Sequence, residues 1–114
     1  MKIKIITAAL LLVTITGCQK QPKQVQESPS HIAAKAAFEQ SDQRIGVFLD
    51  QLDDPKTDQP TRIKILCESF PSEYKKHYIP ALLELQPEDF SEAKLLADLK
   101  SALDYYKSSF QISC

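Results

Sequence analysis

The chain has too few histidines, too few glycines and too short an apolar run for several common classes of protein. Its two histidines, His31 and His77, have no second histidine four residues away, and His77 sits in Tyr74-Lys75-Lys76-His77-Tyr78, where lysines repel a cation. No metal is expected. No G-x-S-x-G elbow or other local nucleophile signature occurs, so the chain is not expected to be an enzyme and calls for no cofactor. The carboxylate pairs Asp53-Asp54 and Glu88-Asp89 fall at predicted turns, where acids serve loops and caps. A basic excess is missing: 14 Lys and Arg against 15 Asp and Glu give a net charge of −1, which lacks the footprint of nucleic-acid binding. The longest apolar stretch, Ile5 to about Ile15, falls short of the roughly 20 residues that a spanning helix needs.

That stretch has a different meaning. Lys2 and Lys4 form a basic n-region, Ile5 to Ile15 an apolar h-region, and Thr16-Gly17 a small-residue cleavage point. Ile15-Thr16-Gly17-Cys18 resembles the lipobox of bacterial lipoproteins. The resemblance covers residues 1–18 only. It implies removal of residues 1–17 and a diacylglyceryl thioether on Cys18, usually with an added N-acyl chain such as palmitate. At about 0.8 kcal/mol per buried methylene, such chains make a permanent membrane anchor. An Asp after the modified cysteine commonly retains these lipoproteins at the inner membrane; here Gln19 follows, which favours the outer membrane. Loss of Lys2 and Lys4 takes the net charge to −3.

With Cys18 used for lipid, Cys67 and Cys114 remain in a chain bound for an oxidising compartment, and parity pairs them in a disulfide. Residues 18–30 are Gln-rich, polar and interrupted by Pro22 and Pro29, which reads as a flexible tether. Residues 31–114 read as an all-α domain, a three- to four-helix antiparallel bundle stapled by that disulfide. Gly46 is its only glycine, and strand-like alternation is absent.

The expected first helix covers residues 31–53 with Ser30 as cap and a seam of Phe38, Ser41, Ile45, Phe48 and Leu52; Gly46 is expected to permit close packing. Pro60, capped by Asp58 or Gln59, opens a second helix that buries Ile63, Leu66, Cys67 and Phe70. Pro71 is expected to stop or bend the chain and Pro80 to kink the next stripe, Tyr74, Tyr78, Leu82 and Leu85. Asp89-Phe90-Ser91-Glu92 resembles a capping box, and the last helix, about 90–110, has the seam Leu96, Leu99, Leu103, Tyr106 and Phe110, widened by Leu95 and Ala102. Leu99 and Leu103 are expected to pack against Ile45 and Phe48.

Tyrosines four residues apart with interleaved lysines suggest a partner-binding surface, since tyrosine presents a large apolar body with a polar tip. The candidates are Tyr74, Lys75, Lys76 and Tyr78, with Tyr105 as a further exposed aromatic; the competing reading puts both Tyr74 and Tyr78 in the core. The sequence thus points to a lipid-anchored, non-catalytic domain facing the periplasm that binds another envelope protein. The alternative is an inhibitor or immunity-type lipoprotein blocking a toxin, a lysozyme or a phage protein.

Overall fold

Prolines at positions 71 and 80 fall inside a helical stripe, and the way the backbone accommodates them governs the architecture. The computed structural model describes residues 28–114, so the expected signal segment 1–17, the lipidation candidate Cys18 and residues 19–27 of the expected tether lie outside the described residues. Every regular element among the described residues is helical.

Helix α1 spans Pro29–Asp53. The Ser28 hydroxyl caps it by accepting from the His31 N–H at 3.3 Å, so the cap is Ser28 rather than Ser30. Pro29 explains the earlier start, because proline at the first turn gives up an N–H that has no intrahelical acceptor there. The C-terminal boundary is the expected one: Asp54 is extended before Pro55 and its side chain accepts from the Lys56 N–H at 2.9 Å. Ala34, Ser41, Ile45 and Leu52 are buried along one face. The Ser41 hydroxyl is fully buried without a partner. Gly46 does not serve close packing, since a Cβ built there meets nothing within 4 Å.

A second helical run follows the short loop. Asp58 caps it by accepting from the Thr61 N–H at 3.1 Å, and hydrogen bonds from Thr61 hold its carboxyl below the usual 3.8. The run passes through α2 (Gln59–Lys64), a π turn (Ile65–Ser69), α3 (Phe70–Glu73), a second π turn (Tyr74–Tyr78) and α4 (Ile79–Leu85). Its backbone stays in the right-handed helical region at every junction. In each π turn the residue just before a proline reaches five back: the Phe70 N–H donates to the Ile65 carbonyl, and the Ile79 N–H to the Tyr74 carbonyl. Pro71 and Pro80 follow directly. In a regular α-helix a proline ring collides with the carbonyl four residues earlier, and the wider turn relieves that crowding. At Pro71, expected to stop or bend the chain, the helical run therefore continues.

The π turns also set which residues face inward. On a regular α-helix the series Leu66, Phe70, Tyr74, Tyr78 and Leu82 advances about 40° per step and drifts about 160° in all. Each π turn adds one residue without advancing the face, about 100° of correction, so the pair keeps the series on one side. Leu66, Phe70 and Leu82 are accordingly buried, with Tyr74 and Tyr78 half-buried between them. Ile63 falls off this face and is 43% exposed, contrary to the expected burial.

The central run lies antiparallel to α1: Phe38 stacks near Tyr78, Arg44 pairs with Glu73 at 3.3 Å, and Phe48 meets Phe70. Helix α5, Glu92–Phe110, returns antiparallel to the central run. Leu95 packs at one end with Ile79 and Leu82, while Phe110 reaches Gln59 and Arg62 at the other. Ser91, not Asp89, caps α5, its hydroxyl accepting from the Lys94 N–H at 3.2 Å. Leu95 is 2% exposed and Leu96 36%, so the seam runs through Leu95 where Leu96 was expected. Leu99 and Leu103 join the larger core cluster with Ile45, and Phe48 packs against it.

Gln111 ends α5 in the left-handed region at φ 55°, and the Ile112 N–H donates to the Lys107 carbonyl at 2.8 Å. This Schellman turn folds Ile112 into the core at 8% exposure. It also delivers Cys114 to Cys67, and the two form a disulfide with Cα atoms 5.6 Å apart.

Urea denaturation should separate these assignments. Leu66→Ala should cost about 2 to 5 kcal/mol and Ile63→Ala about 0.5 kcal/mol. Gly46→Ala should add about 1 kcal/mol, because the helix gains a better former at no steric cost; a loss would show that the position needs glycine.

Candidate functional site

The five candidate surface residues do not converge on one site. Tyr74 and Tyr78 stack on each other with ring centroids 4.7 Å apart, and both pack against the two apolar clusters, which they bridge. Phe38 and Phe70 extend that ladder at 5.2 and 6.2 Å. Partial burial, with Tyr78 and Asp98 nearby, pushes the Tyr74 phenol up to about 12, and burial with Asp42 raises Tyr78. Lys75 turns toward α5. Lys76 and His77 instead border a shallow depression over Ala34 and Ala37 of α1.

Tyr105 belongs to a third place, where the end of α5 faces the α1–α2 loop. There a cleft of about 320 Å³ is lined by Leu52, Asp53, Arg62, Tyr105, Tyr106 and Phe110, among others. Each wall has a local cause. The Tyr106 hydroxyl donates to Asp53 Oδ1 at 2.9 Å across the α5–α1 gap. The Arg62 guanidinium lies 4.2 Å above the Phe110 ring and donates from Nη2 to the Asp54 carbonyl at 3.4 Å. Gln59 Nε2 donates to the Phe110 carbonyl at 3.0 Å, and Arg62 Nε is buried without a partner. Burial first, then the bond to Asp53, pushes the Tyr106 phenol up to about 12.

Tyr105 stands at the rim of this cleft at 68% exposure, edge-on to Tyr106 at 5.2 Å. Aromatic faces beside one arginine and one carboxylate form the kind of surface on which protein interfaces place their anchors. Asp53, Arg62 and Phe110 were not among the sequence candidates. They are brought together by the antiparallel return of α5, which leaves no local spacing to read.

A longer groove separates the central run from α5. It measures about 450 Å³, with Lys75 on one wall and Leu96, Leu99, Leu103 and Lys107 on the other. Among the described residues no three His, Cys, Asp or Glu side chains gather as a metal-binding group. No helix among the described residues is long and apolar enough to cross a membrane. The lipidation candidate Cys18 lies outside the described residues. No known family model matches the chain, nor does any curated protein or solved structure.

The tyrosines predict a pH response. Tyr74 and Tyr106 are raised from 10 to about 12, so the folded chain holds their protons more tightly than the unfolded chain. Their contribution to stability is complete below pH 10 and is lost as pH rises toward 12. Tyr106→Phe should flatten that decline in urea titrations across the window. An unchanged slope would mean that folding does not raise the Tyr106 phenol.

Proposed function

We propose that the chain is a bacterial lipoprotein, anchored through Cys18 to the outer membrane, whose helical bundle faces the periplasm and binds another envelope protein without catalysing a reaction. The observation that carries this reading is Ile15-Thr16-Gly17-Cys18 behind a basic and then an apolar segment. The polar stretch that follows supports a tether, and a tethered domain meets membrane partners at raised effective concentration, so modest affinity suffices. The exposed Tyr105 beside the Arg62–Asp53 cleft supports protein binding over a small-molecule site, because the cleft is shallow and the Tyr106 hydroxyl, the Asp53 carboxylate and Arg62 Nη2 already bond across it. The disulfide suits an oxidising compartment.

Two measurements on cells test the reading. Metabolic labelling with an alkynyl fatty acid should mark the wild-type chain and leave Cys18→Ala unmarked, with the variant lost from the outer-membrane fraction. Photocrosslinkers at the exposed Tyr105 and Leu96 of α5 and at Val47, 55% exposed on α1, should then capture a discrete envelope protein from at least one position. A wild-type chain that takes no label and fractionates away from membranes would contradict the anchor, and silence from all three positions would contradict the partner.

A further inference from the structure

The disulfide that ties α5 to the central run is open to chemistry from one side. Cys67 is half-buried in the π turn Ile65–Ser69, whereas Cys114 is exposed and follows the exposed Ser113. Exposed disulfides exchange with external thiols, and shielded ones resist exchange. An incoming thiolate therefore meets the Cys114 sulfur first.

What the bond holds in place is the end of α5. The turn that carries Cys114 to Cys67 passes through Gln111 at φ 55°, in the left-handed region that disfavours a residue with a Cβ. Opening the bond lets Gln111 leave that conformation. Two hydrogen bonds then remain to hold the Tyr105 cleft together, from the Tyr106 hydroxyl to Asp53 and from Gln59 Nε2 to the Phe110 carbonyl, with the Arg62 guanidinium over the Phe110 ring. Both bonds are exposed, so water competes for each partner. The other two helical segments do not depend on them: Ile45 and Leu52 of α1 share an apolar cluster with Ile65, Leu66 and Phe70 of the central run.

We propose that the Cys67–Cys114 bond is a redox switch for the Tyr105 cleft: a dithiol reductant opens it by exchange at Cys114, the end of α5 swings free, and the cleft comes apart while α1 and the central run stay folded. One thiolate of the dithiol attacks the Cys114 sulfur, forms a mixed disulfide and expels the Cys67 thiolate, which takes up a proton. The second thiolate of the dithiol then attacks its own partner sulfur in the mixed disulfide and expels the Cys114 thiolate, which is protonated in turn. Two electrons and two protons pass from the dithiol to the chain, and the dithiol leaves as a cyclic disulfide. As a control of partner binding the switch rests on the reading of the cleft as the binding site; its opening does not.

The chain carrying Cys18→Ser keeps only the paired cysteines and serves for the test, with dithiothreitol as the dithiol. Reduction, followed by alkylation and intact mass, should proceed at a rate proportional to dithiothreitol. That rate should change by less than about twofold in urea below the unfolding transition, because an exposed sulfur needs no unfolding to react. In Cys114→Ser about nine tenths of Tyr106 should be ionised at about pH 11, against about a tenth in the bonded chain, as a phenol raised to about 12 returns to 10. Tyr106 is read as the tyrosinate absorbance that disappears when Tyr106→Phe is added.

A reduction rate that climbs with urea in step with global unfolding overturns the switch. So does loss of the whole helical circular dichroism signal on reduction, which would make the bond a staple for the entire fold. Equal ionisation of Tyr106 with and without the bond would show a cleft that stays assembled, and overturns it as well. In cells, crosslinks from Tyr105 should be lost with Cys114→Ser, and crosslinks kept in full overturn the control of binding. Failure of the partner reading itself looks different: Tyr105 is then silent in the bonded chain too, while the reduction rate and the Tyr106 ionisation still decide the opening.

Discussion

The covalent bond between Cys67 and Cys114 is the constraint on which the placement of the third helix depends. Helix α1 and the central run are joined by a short loop and share a long aromatic and aliphatic seam. Helix α5 is attached differently. It rests on Leu95 at one end, on a few polar and aromatic contacts around Phe110 at the other, and on Leu99 and Leu103 between. The disulfide closes a loop of sequence separation 47, for which the chain-entropy account gives roughly 4 kcal/mol. In a domain this small, whose core alone supplies only about 3 to 5 kcal/mol, that is a large share of the total.

Both surface features follow from this attachment. Because Cys67 lies in the first π turn, the bond draws the end of α5 toward α2, which puts Tyr106 against Asp53 and Phe110 under Arg62. The other end of α5 is fixed by Leu95 against α4, and the groove opens between the two attachments. Leu96, displaced from the seam by Leu95, is thereby left facing solvent at the groove floor. Lys75 borders the groove from the second π turn, whose tyrosines pack against the two apolar clusters.

How much of this was legible in the sequence depends on the kind of signal. The α1 seam follows a steady 3.6-residue period, and Ala34, Ser41, Ile45 and Leu52 are buried as that period requires. The disulfide followed from cysteine parity and the expected compartment, which need no geometry. The continuation through Pro71 was not legible because a proline ordinarily interrupts or bends a helix, and nothing local distinguishes Phe70-Pro71 after a π turn from a stop. Leu95 and Leu96 both complete a workable heptad with Leu99 and Leu103, and only the position of Ile79 and Leu82 across the gap selects Leu95. The Tyr105 cleft and the lysine-rimmed groove join residues far apart in sequence, so their composition became visible only with the helices in place.

Amide hydrogen exchange, compared between the oxidised and the reduced chain, tests the central claim most directly. If the Cys67–Cys114 bond holds α5 to the other helices, reduction should speed exchange across residues 92–112 by on the order of a hundredfold, while α1 and the central run keep most of their protection. Protection across residues 92–112 that is unchanged by reduction would show that α5 is held by its own packing, and would contradict the account.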